Sequence, residues 1–144
     1  MAMTRLTELP DDERGAWARV HLERDIVAWL TTVAEDGMPQ TSVVSFIWEG
    51  DTILVYSEPD MPKIRNIARS PLAAFALETD PYGDHWLIIE GTVEEDRSVP
   101  PANEHPVYQA KYAEPLAHWG MDEAESARAF SVPLRIRPRR IRLL

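Results

Sequence analysis

Between residues 26 and 57 the chain alternates short runs of β-branched and aromatic side chains with two tight-turn dipeptides, a pattern that fits an antiparallel meander. The first run, Ile-Val-Ala-Trp-Leu-Thr-Thr-Val-Ala over 26–34, enters Asp36-Gly37, a strong hairpin signal. The second covers 40–48, with Val44, Phe46 and Trp48 on one face and Val43, Ser45 and Ile47 on the other. Gly50-Asp51 makes the next turn, and Thr-Ile-Leu-Val-Tyr-Ser over 52–57 reads as a third strand.

Around this meander the period changes. Residues 11–24 form a short helix by pattern, with Asp11 as its cap and Trp17, Val20 and Leu22 among its apolar positions. A second helix runs from about Lys63 to Ser70, with Ile64 and Ile67 inward and Pro71 closing it. Strands follow at 72–79 and 85–95, helices at 104–118 and 122–130, and a last strand at 132–142 interrupted by Pro138. Six mostly antiparallel strands with helices between them describe a mainly β protein, a small barrel or sandwich in one domain spanning 1–144.

Composition removes several chemistries. Without cysteine there is no disulfide, thiolate zinc site, cysteine-held iron–sulfur cluster or cysteine nucleophile. The motifs G-x-S-x-G, H-E-x-x-H, G-x-G-x-x-G and the Walker glycine loop are absent. The four histidines share no ligand spacing and read as surface residues, so no metal is expected. Residues 1–134 set ten Lys and Arg against all 24 Asp and Glu, whereas the last ten residues hold five arginines and no acid. So acidic a body repels phosphate backbones, which argues against a nucleic-acid partner. The arginines of the tail read as solvated alternate positions of a strand. No run approaches 18 apolar residues and no apolar leader precedes the first helix, so the expectation is a soluble, cytoplasmic protein with no membrane partner.

The segment Tyr56-Ser57-Glu58-Pro59-Asp60-Met61-Pro62-Lys63-Ile64-Arg65-Asn66 stands out. A helix start has unpaired N–H groups and partial positive charge and normally recruits acids, yet Lys63 and Arg65 occupy this first turn. The pattern fits either an exposed basic helix start or an anion site, in which the Ser57 hydroxyl, Lys63, Arg65 and the helix amides hold a phosphate. The polar and apolar alternation from Thr41 to Trp48 fits either ordinary strand packing or a wall for a planar heterocycle.

Taken in order, Trp29-Leu30-Thr31-Thr32, Asp36-Gly37-Met38-Pro39, Tyr56-Ser57, Lys63-Ile64-Arg65-Asn66-Ile67 and Glu90-Gly91-Thr92-Val93 resemble the pyridoxamine 5′-phosphate oxidase-like split β-barrel superfamily over nearly the whole chain. Glu104-His105-Pro106, Tyr108, Lys111-Tyr112 and Phe130 to Pro138 look like the actinobacterial branch that uses the deazaflavin coenzyme F420. The resemblance implies a homodimer of six-stranded antiparallel split barrels with two cofactor sites between subunits. It assigns Ser57, Lys63 and Arg65 to the cofactor phosphate with Asn66 beside them, and Thr41, Ser42, Val43, Val44 and Ser45 to the ring. Met61 and Pro62 would shape the covering loop, and Trp86 of the partner would close the site. The FMN-using oxidases of the superfamily carry an arginine on the second strand, where this chain has Thr41-Ser42-Val43-Val44. The implied activity is hydride transfer between F420 and an electron-poor conjugated small molecule. FMN-dependent oxidase or flavin reductase chemistry and non-enzymatic cofactor or haem binding are the alternatives, and no catalytic acid or base is assigned.

Overall fold

The computed structural model describes residues 8–144. Helix α1 (Glu13–Arg24) starts at Asp12, not Asp11, because the Asp12 carboxylate is the one that accepts from the backbone N–H groups of Arg14 and Gly15. Strands β1 (Val27–Val33) and β2 (Pro39–Ser45) form the expected hairpin, in register from Val27 opposite Ser45 to Val33 opposite Pro39. Gly37 closes its turn at φ 86°, a conformation that a side chain resists.

The run 40–48 does not continue as one strand. It breaks at Phe46, and β3 (Ile47–Trp48) pairs with β4 (Ile53–Ser57) instead of β1. Helix α2 (Pro62–Arg69) leads to β5 (Leu72–Ala76), which is shorter than its sequence pattern, and β6 (Leu87–Glu95) starts two residues later than expected. After a 3₁₀ turn at Ala102–Glu104 come α3 (Pro106–Trp119), α4 (Glu123–Ala129) and β7 (Val132–Leu143). The result is one antiparallel sheet in the order β2-β1-β5-β6-β7-β4-β3, with seven strands where the sequence pattern suggests six, the extra one arising from the break at Phe46.

The two edge strands of this sheet are consecutive in the chain, so the sheet must curl until its edges meet at Phe46. A residue that changes strand partners leaves its own N–H and C=O without a ladder, and buried groups of that kind need other partners. Helix α3 provides them. The Phe46 N–H donates to the Tyr112 hydroxyl at 2.8 Å, and the Phe46 carbonyl accepts from Lys111 Nζ at 2.9 Å. Tyr112 in turn directs its hydroxyl at the carbonyls of Ile26 (2.6 Å) and Phe46 (3.0 Å). Lys111 Nζ also sits 3.8 Å from the centre of the Phe46 ring, which packs edge-on against Phe75.

All five residues of β4 are buried because both its faces are covered. Ile53 and Val55 join the barrel interior with Leu30, Phe46, Phe75 and Leu134. Leu54 and Tyr56 pack outward against Tyr108, Tyr112 and Leu116 of α3. Pro138 does not interrupt β7, since β4 pairs only with residues 132–136 and the sheet carries a bulge between Glu90 and Gly91, opposite Pro138. Gly91 is required at that point, as a Cβ would overlap the Arg137 carbonyl.

Two sequence expectations need correcting. Arg137 and Arg142 do sit outward, each 2.8 Å from a β6 carboxylate, Glu94 or Glu90, but Arg135 is 9% exposed and is held by Glu49 (2.6 Å), Asp96 (3.2 Å) and Thr52 (3.0 Å). His105 is likewise buried, capping α3 through the Tyr108 N–H, with its Nε2 3.7 Å from Glu49; it is not a surface residue. Among the described residues no group of histidines and carboxylates has the arrangement of a metal site.

Tyr112→Phe keeps the ring packing and removes the hydroxyl that serves Phe46 and Ile26. Denaturant unfolding should register a loss of about 1–3 kcal/mol, the cost of leaving a buried backbone group unpaired. Burial pulls Lys111 down from an ordinary value of 10.5 to about 8, with Asp25 opposing the shift. The folded state therefore binds the proton less well than the unfolded chain, and stability should rise as pH increases from about 8 towards 10. Thermal melts across that window should lose the rise in Lys111→Met. A wild-type melting temperature flat from pH 8 to 10 would contradict the assignment.

Candidate functional site

Helix α2 begins without the usual support. Its cap residue Met61 offers no side-chain acceptor, its first turn has no acid, and Pro62 stands at the first position. The next residue, Lys63, is partly buried, and that burial lowers its pKa, with Glu58 acting in the other direction. No carboxylate lies within 4 Å of Lys63 among the ion pairs of the described residues, and Glu58 and Asp60 are both exposed. Lys63 lines a cavity of about 320 Å³ with Met61 and Pro62 on one side and Thr32, Gln40, Thr41 and Ser42 of the hairpin on the other.

Asn66 fixes the spacing between those two walls. Its side-chain amide is buried and donates to Thr32 Oγ1 at 3.0 Å and to Gln40 Oε1 at 2.8 Å, while its oxygen accepts from Arg69 at 3.0 Å. Asn66 thus ties α2 to the hairpin. Thr32 and Gln40 line the same cavity and were not singled out in the sequence. Their signal was a polar side chain on the inward face of each strand, continuous with the apolar Leu30 and Val44, at the end of the hairpin that α2 covers.

The remaining expected residues divide into three groups. Thr41, Ser42, Met61, Pro62 and Lys63 meet around the cavity. Val43, Val44 and Ser45 continue along β2 into a second cavity, of about 240 Å³, shared with residues of α3 and α4. Ser57, Arg65 and Trp86 reach neither. Ser57 is 2% exposed and donates its hydroxyl to the Glu58 carbonyl at 2.9 Å. Arg65 points its guanidinium at the Asp60 carbonyl, 3.3 Å away. Trp86 pairs by its backbone with Leu144, just before β6 and just after β7 in the middle of the sheet. Among the C-terminal arginines, Arg135, Arg137, Arg140 and Arg142 lie against Glu49, Asp96, Glu94 and Glu90, away from the Lys63 cavity's lining.

The result is an antiparallel barrel closed at Phe46, with an uncapped basic helix start facing the first hairpin. The family model for pyridoxamine 5′-phosphate oxidase matches residues 17–144. The chain belongs to the pyridoxamine 5′-phosphate oxidase family. No curated protein matches the sequence. Among solved structures, an F420 reductase is 26% identical, with 85% of this chain and 94% of that one aligned and a TM-score of 0.63. A candidate pyridoxamine 5′-phosphate oxidase of Listeria innocua is 24% identical over 90% of this chain and 96% of its own, at a TM-score of 0.64. A conserved hypothetical protein of Mycobacterium tuberculosis superposes at 0.70, with 18% identity over 97% of this chain and 88% of that one. The last two establish the fold alone, a mainly β antiparallel split barrel with flanking helices. No helix among the described residues is long and apolar enough to cross a membrane.

Proposed function

We propose that this member of the pyridoxamine 5′-phosphate oxidase family is a deazaflavin-dependent oxidoreductase, binding coenzyme F420 and passing a hydride to an electron-poor conjugated small molecule. One observation carries the reading: a partly buried ammonium, Lys63, faces a cavity at an uncapped helix start, with Glu58 acting on it from beyond ion-pair distance and burial still lowering its pKa. Burial without a partner disfavours the charged form, and an anion in the cavity reverses that penalty. The residues present suit a phosphate, since Lys63 supplies charge and Ser42 supplies a hydroxyl donor. When bound, the deazaflavin supplies the hydride chemistry. The chain's own residues anchor the anionic tail at Lys63 and carry the ring along β2 towards Ser45, with Val43 as the apolar contact on the same strand face as Ser45.

The choice of deazaflavin over FMN rests on two points. Thr41-Ser42-Val43-Val44 stands on β2 where FMN oxidases of this fold carry an arginine, and similarity to the F420 reductase reaches 26% identity. The same reading makes the protein a homodimer. Val27 and Trp29 of β1, Val43 of β2 and Leu72 of β5 are each 43–52% exposed, and the pairing of Trp29 with Val43 and of β1 with β5 places them on neighbouring strands.

Fluorescence titration should give saturable binding of F420 to the wild type and weaker or no binding of FMN. Lys63→Ala should lose about 1.5–3 kcal/mol of F420 affinity, the range for a hydrogen bond to a charged group. Equal affinity of the two proteins for F420, or tighter binding of FMN, would refute the reading. Light scattering should return twice the 16.4 kDa chain mass, and Trp29→Glu should shift the protein towards monomer. A monomeric wild type at micromolar concentration would remove the dimer from the proposal.

A further inference from the structure

The direction of the hydrogen bonds beneath the Lys63 cavity follows from a single residue. An arginine can only donate, so the bond from Arg69 turns the Asn66 oxygen towards itself and the Asn66 amide towards the hairpin. That amide gives its protons to Thr32 Oγ1 and Gln40 Oε1, which belong to residues directly opposite each other on β1 and β2. Both oxygens act as acceptors there, which leaves the Thr32 hydroxyl proton and the Gln40 Nε2 protons to be donated elsewhere. Neither donor has an acceptor among the described residues, and both side chains line the cavity. Thr32 is 1% exposed, so a ligand oxygen gains more from its hydroxyl than water does. Ser42, two positions along β2 from Gln40 and therefore on the same face, adds another hydroxyl. Thr41 is on the opposite face, where its Oγ1 lies 2.8 Å from that of Thr31.

Charge is scarcer than donors. Among the described residues that line this cavity, Lys63 alone is charged. Arg65 is turned to the Asp60 carbonyl, Arg69 stands behind Asn66, and Glu58 and Asp60 are exposed on the loop leading into α2.

We propose that Thr32 and Gln40 bind the anion alongside Lys63, and that the cavity takes a singly charged phosphodiester in preference to a doubly charged phosphomonoester. This inference rests on the cofactor reading above and adds the charge of the group that is bound. One ammonium balances one negative charge, and the neutral donors of Thr32, Gln40 and Ser42 serve the remaining oxygens without adding charge. A second negative charge would be partly desolvated within reach of Glu58, which already acts on Lys63, and the start of α2 offers it only a partial charge. Esterification removes the second ionisation of a phosphate, whereas a phosphomonoester, with a second pKa of about 6, is largely dianionic at pH 7.5.

The test uses two probes that share one body, 5-deazariboflavin 5′-phosphate and its methyl ester, titrated by fluorescence into the full-length protein. At pH 7.5 the methyl ester should bind about tenfold more tightly. At pH 5 the monoester has lost its second charge, and the difference should shrink to within about twofold. Ser42→Arg adds a cation at a side chain that makes no hydrogen bond to the described residues, and it should reverse the preference at pH 7.5. Gln40→Met keeps the side-chain length and removes the donors; it should weaken binding of the methyl ester about fivefold, with an unchanged far-ultraviolet circular dichroism spectrum as the check on folding. Monoester binding to the wild type as tight as that of the methyl ester at pH 7.5, binding of neither probe, or an unchanged methyl ester affinity in Gln40→Met would overturn the inference. Failure of the cofactor reading has a separate signature, equal F420 affinity of wild type and Lys63→Ala, whereas loss of the diester preference alone leaves that difference intact.

Discussion

The architecture turns on how one peptide unit is satisfied. At Phe46 the chain leaves one edge of the sheet and joins the other, and a residue in that position loses the ladder partners that strands normally provide. In a buried setting the loss would cost more than the bend gains, unless side chains take over. Tyr112 and Lys111, adjacent on α3, meet that need from outside the barrel. The closure thus explains two features at once: why a helix inserted between β6 and β7 packs across β3 and β4, and why a lysine is held where burial weakens its charged form.

The same closure arranges the functional surfaces. Because β2 ends at the break, its face is free to meet α2 at one end and the α3–α4 pair at the other, and each junction leaves a cavity. The two differ in electrostatics for a physical reason. The first lies at a helix start whose N–H groups and lysine accumulate positive charge in a strongly acidic protein. The second lies against aromatic rings that pack the outer side of β4. Elsewhere several acids are held in pairs, notably Glu49 and Asp96 around Arg135 and Glu90 and Glu94 against β7.

Legibility from sequence followed the range of the interaction involved. The Asp36-Gly37 turn, the α2 start at Pro62-Lys63 and the apolar alternation of β1 are local, and they appear in the structure as the pattern reads them. The break at Phe46 was illegible because alternation continues through it: the residue is inward-facing on either reading, and only its backbone partners differ. Pro138 misled for a related reason. A proline interrupts a strand flanked on both sides, but here the second neighbour has already ended. Ser57 fits a phosphate site by residue type and by position after β4, yet its hydroxyl turns back to the next carbonyl and is buried there.

Sequence by itself determined that the chain is mainly β, that two tight turns separate its first three strand runs, that cysteine chemistry is absent, and that positive charge sits unusually at the start of α2. These follow from residue identity and near-neighbour spacing, which fix local conformation and charge. Tertiary structure alone decided which strands close the barrel, that Asn66 ties α2 to Thr32 and Gln40, that Arg135 and His105 are buried around Glu49, and that β2 serves two cavities of unlike chemistry. Those are contacts between residues tens of positions apart, and their partners are set by how the sheet curls, a property that no window along the chain contains.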